Sequence, residues 1–132
     1  RTVTPEQLGE LVDFISIDVA FISLDKVLPV ATTLLKDTGS LVALIKPQFE
    51  AGKENVGKGG IVRDSNIHKE VLHRILQVAY DCGLYIHGLT FSPIKGMEGN
   101  IEFLGYFKKY EEGALTINDE LIDVVVSEAH SL

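Results

Sequence analysis

Tryptophan is missing from this 132-residue chain, and cysteine and methionine occur once each. The lone cysteine, Cys82, excludes an intramolecular disulfide framework and fits a reducing, cytoplasmic setting. It stands near a predicted helix end, where a small packed residue is expected rather than a reactive thiol. No apolar run approaches the roughly 20 residues needed to span a bilayer, so no membrane partner is expected. The four histidines, His68, His73, His87 and His130, form no i, i+3 or i, i+4 pair, and no metal site is expected from them. No signal peptide is visible. The chain opens at Arg1 without a methionine, which suggests that the natural N-terminus lies upstream.

What is present describes one domain with an ordinary core: 45% of residues are hydrophobic, and no linker, repeat or low-complexity segment divides the chain. The formal net charge of −7 argues against the whole surface being a nucleic-acid footprint. Its distribution is uneven. The tail from residue 110 carries Glu111, Glu112, Asp119, Glu120, Asp123 and Glu128 with no lysine or arginine. The middle, from Lys46 to Lys109, carries a slight basic excess that a polyanion would tolerate.

Thr4-Pro5-Glu6-Gln7 reads as the cap and first turn of a short helix ending near Glu10. Val12 to Val19 reads as a strand with apolar residues on both faces, as in a buried parallel strand. A helix is expected from Val27 to Lys36 with Pro29 in its first turn, then a turn at Asp37-Thr-Gly39 and a strand from Leu41 to Ile45. Asp64 or Ser65 caps a helix to about Asp81, whose stripe is Ile67, Val71, Leu72, Ile75, Leu76, Val78 and Ala79. Gly83 ends that helix. Leu84 to Phe91 and Asn100 to Phe107 read as strands joined by a loop that suits an antiparallel return. Asn118 caps a last helix through about Ala129. The order αβαβαββα predicts an α/β fold: a mostly parallel sheet with one antiparallel strand and helices on both faces. Phe14, Phe21, Phe91, Phe103 and Phe107 are expected mostly in the core. Phe49 and Tyr110 are candidates for exposure, too few for a base-stacking platform.

Open α/β sheets bind ligands beyond the carboxyl ends of their strands. Asp18 and Lys46 each close a strand there, and an antiparallel strand that starts with Glu102 begins at the same edge. Neighbouring strands lie about 4.8 Å apart, so the three side chains can meet as a carboxylate–lysine–carboxylate cluster. Such a lysine can have its proton affinity adjusted for general-base work. The alternative, three unrelated charges at strand ends, is not separated from this by spacing alone. The following segment, Gly52-Lys-Glu-Asn-Val-Gly57-Lys58-Gly59, nearly has the spacing of a phosphate-binding loop. Gly59 stands where a hydroxyl should reach magnesium, however, and no helix is expected to start at Lys58. A flap over a substrate is the better expectation.

Four segments carry a family resemblance: Ile17-Asp-Val-Ala-Phe-Ile-Ser-Leu24; Ile45-Lys-Pro-Gln-Phe-Glu50; Val56-Gly-Lys-Gly-Gly-Ile-Val-Arg-Asp64; and Ser92-Pro-Ile with Gly99-Asn-Ile-Glu102-Phe. In order and spacing they resemble the hemolysin A (TlyA-type) family, which joins an S4-like RNA-binding domain to an FtsJ-like methyltransferase domain. The resemblance covers nearly the whole chain. It implies S-adenosylmethionine-dependent 2′-O-ribose methylation of ribosomal RNA, with ribosomal RNA or a ribosomal subunit as partner. Of the family's catalytic Lys-Asp-Lys-Glu tetrad, Asp18, Lys46 and Glu102 match the last three members. The leading lysine, the glycine-rich cofactor loop and the S4-like domain are not found in this sequence, and Ala20 stands where the family often has serine.

The resemblance further implies that Asp18 and Pro47 lie at the cofactor, that Lys53, Lys58 and Arg63 face RNA, and that the loop from Gly52 to Gly60 closes over one of them. Residues 1–132 would be the C-terminal portion of a partial Rossmann-like methyltransferase domain, with strands in the order 4-5-7-6, and inactive alone. The strand at 12–19 would then be an edge, an association hazard expected to be covered by upstream residues, a swapped element or a second copy in a homo-oligomer. Two other functions stay open: a cytolysin acting on membranes, opposed by the acidic last helix, and a non-catalytic RNA-binding module, opposed by the net charge.

Overall fold

The computed structural model describes residues 10–95 and 99–131 of the chain. The helix expected from Thr4 lies outside them. Strand β1 covers Val12–Ile17 and helix α1 covers Leu24–Leu34. This helix starts earlier than the sequence pattern suggests because Ser23 caps it, its Oγ accepting from the Asp25 amide at 3.2 Å. Pro29 therefore sits inside the helix rather than in its first turn. It removes one backbone bond there, while Leu24, Leu28 and Ala31 pin the helix to the core.

Strand β2, Leu35–Ile45, follows α1 directly. The expected turn at Asp37-Thr-Gly39 is instead absorbed as an irregularity in the ladder, since Val12 pairs with Leu35 but Phe14 pairs with Ser40. Gly39 is required by close approach: a Cβ there would lie 2.9 Å from the Asp13 carbonyl oxygen. A short helix α2, Pro47–Glu50, and two single 3₁₀ turns lead to α3, Ser65–Asp81, capped by Asp64. Gly83, with φ of 88°, closes α3: the Leu84 amide donates to Ala79 and the Gly83 amide to Tyr80. Strands β3, Tyr85–Phe91, and β4, Phe103–Lys108, precede α4, Asp119–His130, which is capped by Asn118.

The sheet order is β1-β2-β4-β3, the spatial sequence 4-5-7-6 in family terms. The expectation of a mostly parallel sheet is corrected. Only β1 and β2 pair in parallel; β4 runs antiparallel to both β2 and β3. One strand is reversed, as expected, but it returns between β2 and β3 and so makes two of the three ladders antiparallel.

The helices among the described residues share one face of the sheet, where helices on both faces are expected. Leu41, Ala43 and Ile45 of β2, Phe103 and Phe107 of β4 and Ile86 of β3 form one core with the apolar stripes of α1, α3 and α4. The crossovers β1–α1–β2 and β2–α3–β3 advance in the same direction, and right-handed crossovers of that kind land on one face. Among the described residues, the opposite face, with Val42, Leu44, Leu104 and Tyr106, carries no helix and is only partly shielded. Two of the expected core aromatics lie outside as well: Phe14 is 57% exposed on the edge strand and Phe21 is 78% exposed.

Candidate active site

Strands β1 and β2 end side by side, with Ile17 paired to Ala43, so the residues that follow them share one edge of the sheet. Asp18 follows β1 and Lys46 follows β2. Lys46 precedes Pro47, which restricts it to extended backbone, and its φ and ψ are −112° and 98°. This aims the side chain along the sheet edge, where Nζ donates to Asp18 Oδ1 in a short ion pair. The lysine side chain is 13% exposed and the aspartate 64%, so the aliphatic stem is covered while the carboxylate stays open. Pro47 is buried at the first position of α2.

Glu102 approaches from the other side. Ile45 is paired with Phe103 in the antiparallel ladder, and one step further the backbone brings Lys46 alongside Glu102. The glutamate is buried, at 6% exposure. Its Oε2 does not take Lys46 but accepts from Gln48 Nε2 at 2.8 Å. Among the described residues Glu102 makes no ion pair. The three expected charges therefore gather at one edge, two of them in direct contact and the third held next door by an amide.

That amide and the next acid are not singled out by sequence reasoning. The Glu50 side chain is 2% exposed. Its carboxylate accepts from Ser23 Oγ at 2.6 Å, from the Leu24 amide at 2.9 Å and from Arg74 at 2.9 Å. The same guanidinium donates to the Glu50 carbonyl at 2.8 Å. One carboxylate thus ties α2 to the N-terminus of α1, where it takes the orphan Leu24 amide, and to the Arg74 side chain of α3. The signal available is the acid closing Lys46-Pro-Gln-Phe-Glu50, together with an arginine bordering the apolar stripe of α3.

Three residues beyond Asp18 and three beyond Lys46, Phe21 and Phe49 meet with ring centroids 4.7 Å apart. Phe21 holds a left-handed backbone, φ 65°, which costs a bulky residue about 1–2 kcal/mol.

The glycine-rich loop is anchored at its far end. The Gly57 amide donates to Ile61, Asn100 Nδ2 donates to Gly60, and the Val62 amide donates to Asn100 Oδ1. Gly59 and Gly60 supply positive φ for this turn. Buried His68 adds a fourth tie, its Nε2 donating to the Val62 carbonyl at 2.9 Å and its Nδ1 facing His130 Nε2 at 2.8 Å. Burial, more than the opposing Val62 bond, holds His68 below the usual imidazole range, and His130 lowers it further. The side chains of Lys53 and Lys58 lie outside the described residues. Arg63 is exposed in a cleft with Lys95, Gly99 and His130, which neither Asp18 nor Lys46 lines. Among the described residues no three His, Cys, Asp or Glu side chains are placed to hold a metal ion. No helix among them is long and apolar enough to cross a membrane.

Residues 1–109 match the FtsJ-like methyltransferase family. The Bacillus subtilis protein YqxC is 47% identical over 133 residues, covering 98% of this chain and 47% of that protein. The Mycobacterium tuberculosis protein named 16S/23S rRNA (cytidine-2′-O)-methyltransferase TlyA is 35% identical, covering 88% of this chain and 43% of its own length. A solved Streptococcus thermophilus structure that carries a hemolysin name superposes with a TM-score of 0.88 at 45% identity, over 98% of this chain and 46% of that one. The chain thus spans about half the length of the relatives it matches.

Proposed function

This chain belongs to the FtsJ-like methyltransferase family, and from that premise we propose that its parent protein methylates ribose 2′-hydroxyls of ribosomal RNA in the cytoplasm. The observation that carries the reading is the Lys46–Asp18 pair at the carboxyl edge of the parallel strands, with Glu102 alongside. Cytidine is the nucleotide named for the TlyA relatives, and it is the first to test.

S-adenosylmethionine, when bound, supplies the methyl group on its sulfonium. The residues present fit one wall of such a site: an open carboxylate at Asp18 beside the buried Pro47. The clefts lined by Arg63 or by Tyr80 and Leu115 include neither Asp18 nor Lys46. In the reacting form the Lys46 amine takes the 2′-hydroxyl proton as the ribose oxygen gains the methyl group. Asp18 pairs with the ammonium so formed, and Glu102 steadies the edge from the other side. Partial enclosure strengthens each of these contacts. Arg63 and the loop from Gly52 to Gly60, with Lys53 and Lys58, would meet the RNA backbone. The chain alone would lack transfer activity.

The hemolysin names of some relatives find no membrane-spanning helix among the described residues. The apolar face of α4, with Ile122, Val125, Val126 and Ala129, is spent in the core.

Lys46→Ala in the full-length parent should abolish transfer of labelled methyl groups to ribosomal RNA, with the melting temperature kept. Undiminished transfer would remove Lys46 from the mechanism.

A further inference from the structure

Gln48 follows Lys46 by two residues and donates to the buried Glu102. The register places Lys46 beside Glu102, one step past the Ile45–Phe103 pair, yet the buried acid accepts from Gln48 Nε2 at 2.8 Å. In this contact the amide donates and the carboxylate accepts. This leaves Gln48 Oε1 buried with no hydrogen-bond partner among the described residues. An unpaired buried acceptor is costly, about 1–3 kcal/mol, and asks for a reason.

We propose that Gln48 is a positioning residue that holds Glu102 away from Lys46, leaving Asp18 as the lysine's direct carboxylate partner. This rests on the methyltransferase reading, in which Lys46 must give up its proton before it can accept one from the ribose. Each carboxylate paired with an ammonium strengthens its hold on that proton. A lysine clasped by both acids would be a poorer base near neutral pH. The charged groups on the adjoining elements are few: Asp18 after β1, Glu102 before β4, and the Glu50–Arg74–Asp25 set of α2, α3 and α1, whose members are engaged with one another. With Gln48 in place, Glu102 spends its charge on an amide.

The test uses the full-length parent protein and the pH profile of methyl transfer. In Gln48→Leu, Glu102 loses its donor and turns to Lys46. The pH at which the rate reaches half its maximum should rise by about one unit, so transfer near neutrality falls up to about tenfold and recovers in alkali. The KM for S-adenosylmethionine should stay within about twofold. A midpoint equal to that of the wild type would overturn the proposal, whatever the loss of rate, because a merely structural role lowers the profile without moving it.

Gln48→Glu provides a second arm if the leucine variant does not fold. Two carboxyls in contact share one proton. The protonated acid can donate to Glu102 as the amide does, so activity relative to wild type should be highest in acid and fall as the proton leaves. A constant ratio across the pH range would count against the proposal. Lys46→Ala separates the two ideas: active Lys46→Ala sinks the methyltransferase mechanism, whereas inactive Lys46→Ala with an unmoved Gln48→Leu profile sinks only the role of Gln48.

Discussion

Removing the Glu50 carboxylate would strand three donors at once: Ser23 Oγ, the Leu24 amide and the Arg74 guanidinium. Arg74 is 40% exposed and can turn to water, which discounts its share. The Leu24 amide at the start of α1 and the partly buried Ser23 have less freedom. Glu50→Ala should therefore destabilise the fold by about 2 kcal/mol, and Glu50→Gln by less, since the amide oxygen still accepts. Urea unfolding of the two variants checks this, and equal loss in both would show that the carboxylate's charge, which a neutral amide acceptor cannot replace, holds the turn. At this scale the sequence is readable where a residue's immediate chain neighbours fix its position. Lys46 is visible because a strand runs into a proline, and Asp18 and Glu102 because they stand at the same kind of boundary. Gln48 and Glu50 are not, because their partners lie on elements distant in the chain: Glu102, Ser23 and Arg74. The exposure of Phe21 is hidden for the same reason, since only the fold shows that it meets Phe49 and otherwise faces solvent.

The contact between the loop, α3 and α4 runs through two imidazoles. His68 Nε2 donates to Val62, so its Nδ1 must accept, and the His130 Nε2 proton fills that place. The tautomers follow from this network. A second proton on His68 would set two N–H groups against each other, and burial already holds its pKa below the ordinary value. Because the unfolded chain keeps an ordinary histidine near 6.5, it takes up the proton first as pH falls. The neutral His68 thus contributes stability that is intact above that value and is lost on acidification toward the folded pKa, with a slope of at most about 1.4 kcal/mol per pH unit. His68→Gln keeps a donor for Val62 without the titration. Its urea midpoint should change less between pH 7 and pH 5 than that of the wild type, and parallel curves for both proteins would show that His68 does not carry the effect. Element boundaries are legible where a cap or a glycine declares them, as at Asp64, Gly83 and Asn118. They are obscured where tertiary structure overrides local chemistry. Pro29 and Asp37-Thr-Gly39 read as a first turn and a loop, yet packing of Leu28, Ala31 and Leu35 carries helix and strand straight through them.

At the scale of the molecule, β1 and β3 are the edge strands of the sheet, and β1 is the more apolar and open of the two among the described residues. Among the described residues β1 pairs only with β2, and its apolar sequence reads as that of a strand flanked on both sides. Phe14 points outward at 57% exposure, with Leu11, Phe21 and Ile22 also open nearby. Unpaired amides beside apolar side chains are a template for another strand. The parallel pairing of β1 with β2 and the 4-5-7-6 order can be anticipated from alternation and resemblance. That the described helices share a face stems from crossover handedness, which a string of residues does not display. The open edge predicts the behaviour of this chain on its own. Expressed as residues 1–132, it should self-associate at about 100 μM, where non-specific contacts in this range already matter. Phe14→Lys places a charge on the edge strand, a device by which natural sheets prevent edge pairing, and should shift sedimentation toward the monomer. The substitution is on the exposed side of β1, so the melting temperature should hardly move. A wild-type chain that sediments as a monomer, with fast amide exchange along Val12–Ile17, would mean that this edge tolerates water and recruits no neighbour.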